Sequence, residues 1–140
     1  MVDVKELYSE EEYISRYSGK YTELYDYDPM INAFGRVAVR VDTDDYSGDT
    51  YILYDNGNKI GHLIFGWGSC SGCDPLQHCE SIEEVQELCD KLENSIEWFG
   101  SKEEALNWFE NHDWKGNWCW FYKECREYIE KAMEYLKGEN

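Results

Sequence analysis

Two cysteines lie three positions apart in the loop Gly66-Trp67-Gly68-Ser69-Cys70-Ser71-Gly72-Cys73-Asp74, just ahead of Asp74-Pro75-Leu76-Gln77, which reads as a helix start. Three chemistries suit this arrangement. A Cys-x-x-Cys pair is half of a zinc knuckle, and His78 or Cys79 would complete a set with Cys70 and Cys73. A second such pair is missing, however, and the adjacent His78 and Cys79 do not both reach one ion. A thiol at a helix N-terminus ionises more easily, which suits redox work. A thioredoxin-type motif follows a parallel strand, though, whereas an antiparallel meander feeds this loop. Lastly, Gly66, Gly68 and Gly72 let backbone amides turn toward an anion beside the Asp74 cap. Gly68, Ser69, Cys70, Ser71, Gly72, Cys73 and Asp74 then form a small-molecule, nucleotide or catalytic site, with His62 or His112 available to pair with a cysteine. No Gly-Lys-Ser/Thr follows to make a phosphate loop. The bland alternative is a tight Gly/Ser turn holding two half-buried thiols.

The second set of residues is defined by charge. Thirteen basic residues against 30 acidic ones give a net charge of −17. Such a surface repels nucleic acid and anionic membranes and attracts basic protein surfaces with salt-sensitive kinetics. Residues 80–113 carry eleven acidic and two basic side chains, and residues 114–140 carry five of each. The field is therefore centred on the middle of the chain. Glu83, Glu84, Glu87, Asp90, Glu93 and Glu97 are the candidate binding residues, read as helix carboxylates that occupy a basic groove on a protein partner. Solubility alone is the competing explanation. Neither reading calls for a cofactor or for direct nucleic-acid binding. Asp42, Asp44, Asp45 and Asp49 crowd one turn, but Ser47 and Leu53 stand where a calcium-binding EF-hand loop counted from Asp42 needs Gly and Glu. A solvated hairpin turn is the reading there. Trp108, Trp114, Trp118 and Trp120 lack an accompanying cationic groove for stacking bases. They read as core, or in part as an exposed patch at a protein interface.

The elements that would hold these residues follow from periodicity. A helix is predicted over Val4–Tyr17, or a short turn at Val4–Tyr8 followed by a second helix opened by Ser9 and Glu12. Residues 21–31 read as mostly loop, with Pro29 holding Asp28 extended. Val37, Val39 and Val41 share one face of a strand over 34–42. Strands at 50–54 and 58–67 flank Asn56-Gly57, a hairpin signal in which both residues tolerate positive φ. Ser81 and Glu84 open a helix with an Ile82, Val85, Cys89, Leu92 stripe. A short strand is predicted at 95–99, and Ser101 and Glu104 open a helix with Ala105, Leu106 and Phe109 inward. The last helix, 118–137, buries Phe121, Cys125, Tyr128, Ile129, Ala132 and Leu136. On its outer face Glu127 and Lys131 make an (i, i+4) pair. Cys89, Cys119 and Cys125 fall on apolar stripes, where a free thiol behaves as a small hydrophobe.

The sum is an α+β fold, a single domain with an antiparallel three- to four-stranded sheet packed with helices. Aromatic residues make up 16% of the chain, enough apolar area to exclude disorder. No run approaches the length of a membrane span. Without the basic patch and apolar stretch of a signal peptide, the chain reads as cytoplasmic, with its thiols reduced.

The string Phe65-Gly-Trp-Gly-Ser-Cys-Ser-Gly-Cys-Asp-Pro-Leu-Gln77, with Trp98-Phe-Gly-Ser-Lys-Glu-Glu-Ala105 downstream, resembles small uncharacterised acidic proteins of bacteria and their phages. The resemblance brings no catalytic residue with it. What it implies is a setting among the accessory genes of mobile elements, where a protein of this size and charge inhibits a host defence protein by binding it, sometimes in imitation of nucleic acid.

Overall fold

A computed structural model describes residues 2–8, 27–43, 48–67, 76, 79, 81–116 and 122–138. The chain gathers into two compact units that interleave in sequence. One comprises Met1–Phe34, Asp45–Gly48 and Gly66–Ser95, and the other Gly35–Asp44, Asp49–Phe65 and Ile96–Asn140.

The second unit is built on an antiparallel four-stranded sheet of β1 (Val37–Asp42), β2 (Gly48–Asp55), β3 (Ile60–Trp67) and β4 (Glu97–Phe99), in that spatial order. The α+β class expected from the sequence is thus observed. Along β1 the pairing shifts by one residue, since Val37 lies opposite Tyr54 and Val39 opposite Leu53. The extra residue, Ala38, is a β-bulge that bends the strand. The hairpin between β2 and β3 differs from the expected turn. Asn56 N donates to Lys59 O at 3.0 Å, and Gly57, at φ 90°, has positive φ while Asn56 and Asn58 do not. A two-residue turn with its one positive φ at a leading glycine fits type II′, centred on Gly57-Asn58 and not on Asn56-Gly57. Asn56 instead uses its side chain, whose Oδ1 accepts from Arg36 N at 2.9 Å.

Helix α3 (Lys102–Asn111) is capped by Ser101, which accepts from Glu104 N at 3.1 Å, and helix α4 spans Lys123–Leu136. These helices bury Ala105, Phe109, Cys125, Tyr128, Ile129, Ala132 and Leu136 with Val41, Tyr51, Leu53, Ile60, Phe99 and Trp114 in one core. The predicted inward faces of both helices are therefore present, except that Leu106 is only half-buried and Phe121 lies outside the described residues. Glu127 and Lys131 form the expected pair on the outer face of α4, at 3.3 Å.

A buried aspartate clasps this unit. Asp55 accepts from Tyr135 Oη at 2.5 Å and from Gly57 N at 2.9 Å, with Arg36 and Lys102 at 3.7 and 3.8 Å. The Tyr135 hydrogen bond leads the causes that hold its carboxyl below the ordinary aspartate range.

In the first unit, Val4–Glu6 is a single 3₁₀ turn capped by Asp3, which accepts from Lys5 N at 3.0 Å. This matches the shorter of the two predicted readings, and the second helix expected beyond it lies outside the described residues. Helix α1 (Asp28–Phe34) occupies part of the segment read as loop. Pro29 sits in its first turn, where a missing N–H leaves no helical bond unmade, so the proline starts the helix instead of excluding it. Met30, Ile31 and Phe34 are buried. Helix α2 (Ile82–Asn94) follows its cap Ser81, which accepts from Glu84 N at 3.2 Å. No helix among the described residues is long and apolar enough to cross a membrane.

Candidate functional site

Helix α2 carries five carboxylates and one lysine in 13 residues. Its apolar stripe behaves as the spacing requires. Val85, Cys89 and Leu92 are buried, and Ile82 is half-buried at the start. Cys89 is no nucleophile, because burial, aided by the nearby Glu93 and Asp90, pushes its thiol up to about 12.

The carboxylates divide into two groups. Glu83, Glu84 and Glu87 are exposed. Glu83 and Glu84 occupy the first turn, where the partial positive charge of the helix N-terminus favours them. Asp90 and Glu93 are half-buried, and Glu93 with Gln86, itself bonded to Asp90, holds the N-terminal segment. Glu93 Oε1 accepts from Val2 N at 3.3 Å. Gln86 Nε2 donates to Asp90 Oδ1 at 2.9 Å and to Val2 O at 2.6 Å, while its Oε1 accepts from Val4 N at 3.1 Å. Glu97 was read with the helix carboxylates, but it stands on strand β4 opposite His62, in the second unit. The helix ends at Asn94 and Ser95 caps it, so that the chain is extended before Glu97 is reached. The coherent acidic face of α2 is therefore Glu83, Glu84 and Glu87.

Of the cysteine loop, Gly66 and Trp67 complete β3, whereas Gly68, Ser69, Cys70, Ser71, Gly72, Cys73, Asp74 and His78 lie outside the described residues. Cys79 is described, and it is a buried cysteine that forms no disulfide and whose N–H donates to Leu76 O at 3.2 Å. Leu76 is buried too, and its N–H donates to Tyr27 Oη at 3.0 Å. Among the described residues no group of three or more His, Cys, Asp or Glu side chains could hold a metal ion. In the aspartate-rich turn, Asp42 is engaged by Arg40 at 3.0 Å and by the Thr50 hydroxyl at 2.5 Å, while Asp44 and Asp45 lie outside the described residues.

The sequence offered His62 as a partner for a catalytic cysteine. It is instead a core residue, 8% exposed, with Trp108, Phe109, Trp114 and Tyr128 rings at 5.3 to 5.9 Å. Its Nδ1 lies 2.7 Å from Tyr128 Oη, which donates to Ile52 O at 2.8 Å. With that phenolic proton committed to a carbonyl, His62 must be the donor and carry its proton on Nδ1. Burial first, then the neighbouring His112, lowers the imidazole to about 3. A ring so hard to protonate is a structural hydrogen-bond donor and not a general base near neutrality. The alternation Ile60, His62, Ile64 and the inward stripe containing Tyr128 were the available signals for this pair. Trp114 belongs to the same core, as the packing reading expects, Trp108 packs half-buried against it, and Trp118 and Trp120 lie outside the described residues.

Comparisons with family models, with curated proteins and with solved structures each return no match. The functional reading of this chain therefore rests on its own residues.

Proposed function

We propose that the protein is a non-enzymatic binding protein that presents carboxylates to the basic groove of a protein partner, and that this partner is a bacterial defence protein whose groove otherwise takes nucleic acid or a cofactor. The observation that supports this reading is the exposed face of α2. Glu83, Glu84 and Glu87 are exposed to solvent there, while the opposite face and the Gln86–Asp90–Glu93 edge anchor the helix. A rigid helix spaces the charges, and the net charge of −17 draws a cationic partner from a distance. In the bound state the carboxylates take the place of phosphates on the partner's lysines and arginines.

Capture from a bacterial lysate on the immobilised protein tests this. The expected result is a stoichiometric partner held at low salt, released at high salt and displaced by DNA or RNA. The triple reversal E83K/E84K/E87K should lose that partner. Reversal also removes favourable charge from the first helical turn, at about 0.3 to 1 kcal/mol per residue, so the helical circular-dichroism signal must be shown to persist. A folded triple variant that captures the partner as tightly as the parent would overturn the proposal.

A further inference from the structure

The second unit carries a groove of about 450 Å³ along α3 that neither the acidic helix nor the cysteine loop accounts for. Glu104, Asn107, Trp108 and Asn111 line it from one face of α3, at the (i, i+3, i+4, i+7) spacing of a single stripe. Phe99 of β4 contributes one end, and His112 and Asp113, just past the helix, contribute the other. The aromatic wall is continuous, with Trp108 stacked on His112 at 4.4 Å and its ring 5.4 Å from that of Phe99.

The polar groups are fixed by bonds that each leave an acceptor over. Gly100 N donates to Glu104 Oε2 at 2.8 Å, and Gly116 N donates to Asp113 Oδ1 at 3.0 Å. Neither Glu104 Oε1 nor Asp113 Oδ2 receives a hydrogen bond from the described residues. Asn111 Nδ2 donates to Asn107 O and Oδ1 at 2.7 and 3.0 Å, which leaves the Asn111 side-chain oxygen as a further acceptor. Acceptors held in place beside aromatic rings, with no lysine or arginine in the lining, match a planar cation with several N–H donors. Guanidinium meets both requirements, because it donates in a fork and stacks on rings. A lysine ammonium is a compact, strongly hydrated charge that stacks poorly.

We propose that this groove binds the guanidinium of an arginine presented by the partner protein, an inference that rests on the acidic-surface reading above and names the side chain this site selects. The test is an NMR titration of the full ¹⁵N-labelled chain with the blocked peptide Gly-Gly-Arg-Gly-Gly, and with counterparts carrying citrulline or lysine in place of arginine. The arginine peptide should shift the Trp108 indole N–H and the Asn107 and Asn111 side-chain amides. The citrulline peptide, of the same shape but uncharged, should not, and the lysine peptide should bind several-fold more weakly.

E104Q/D113N keeps an oxygen for each backbone donor while removing both charges, so its spectrum should stay folded and its arginine affinity should fall roughly tenfold. Equal binding of the citrulline peptide, shifts elsewhere than the groove, no shifts at millimolar peptide, or unchanged affinity in E104Q/D113N would each overturn the proposal. The two readings fail separately. A groove that binds no arginine, in a protein whose lysate capture still depends on Glu83, Glu84 and Glu87, removes this inference alone. A groove that binds arginine in a protein whose capture ignores those glutamates removes the α2 reading alone.

Discussion

At the scale of single residues, His62 sets the acid limit of the second unit. In the unfolded chain its imidazole protonates near 6.5, whereas in the folded state it resists until about 3. Between those values the unfolded chain binds the extra proton, so stability rises with pH and falls as pH drops below 6.5. The slope approaches about 1.4 kcal/mol per pH unit. His112, Trp108, Phe109, Trp114 and Tyr128 surround the ring, and the exposed Glu97, opposite it on β4, is not among the causes of its shift. His62→Gln retains an N–H for Tyr128 Oη and does not titrate. Urea unfolding at pH 7 and pH 5 should show the parent losing stability across this interval by roughly 1 to 2 kcal/mol more than the variant does. Parallel slopes would mean that the imidazole does not resist protonation. Asp55 acts in a different window. Its depressed folded value means its contribution is complete above the ordinary aspartate range and is lost at lower pH, as pH falls through the folded value. A second residue, Gly61, is fixed by a close approach. An added Cβ would stand 2.7 Å from Trp98 Cζ3 and 3.0 Å from Ile96 Cγ2. Gly61→Ala should displace the half-exposed indole from beside Tyr54 and lower stability by about 1 kcal/mol. Near-ultraviolet circular dichroism and the melting temperature report the two effects.

At the scale of elements, the two capped helices are the most readable features of the sequence. Ser81 and Ser101 each accept from the backbone N–H three residues on, as their Ser-x-x-Glu spacing predicts. Either serine changed to alanine should cost about 1 kcal/mol. The two changes should add, because they cap different helices in different units. Urea titration of both single variants and the double variant measures this, and a non-additive result would mean that the two ends are coupled. Signals of this kind were legible because they are local. The valine alternation of β1 and the inward stripes of α3 and α4 belong to the same class. What was misread depended on context. Pro29 fits a helix start as well as a loop, and only the burial of Met30, Ile31 and Phe34 decides between them. Asn56-Gly57 promised a turn, but the pairing of Asn56 with Lys59 moved its centre by one residue. Glu97 looked continuous with the helix carboxylates in composition and lies beyond the helix end. Of the candidate site, the exposure of Glu83, Glu84 and Glu87 could be anticipated from their position opposite the stripe. The engagement of Glu93 could not, because it depends on Val2, 91 residues away in the chain. The groove was equally invisible, since it joins a strand residue, one helix face and the turn beyond it.

At the scale of the whole molecule, charge is the dominant variable. A net charge of −17 on a 16.6 kDa chain pushes carboxylates against one another in the compact state and is relieved when the chain expands. Salt screens that repulsion over about 10 Å at 0.1 M. It also screens the attractive pairs, and those described between two surface residues are weak. Glu127 with Lys131 and Arg40 with Asp42 are surface pairs, each worth at most about 1 kcal/mol. Repulsion therefore outweighs attraction, and the melting temperature should rise as sodium chloride is raised from 0.01 to about 0.3 M. A gain on the order of 1 kcal/mol corresponds to roughly 3 to 5 °C for a chain of this length. Binding should respond in the opposite sense, because the same screening weakens the attraction between the acidic face and a basic partner. A variant with glutamine at positions 83, 84 and 87 separates these effects in one chain. It should gain less from added salt than the parent and bind its partner less tightly, while at low salt the loss of the favourable first-turn charge at Glu83 and Glu84 offsets the relief of repulsion. A parent protein destabilised by salt would show that its ion pairs outweigh its self-repulsion. The same carboxylates would then be holding the fold together instead of standing ready for a partner.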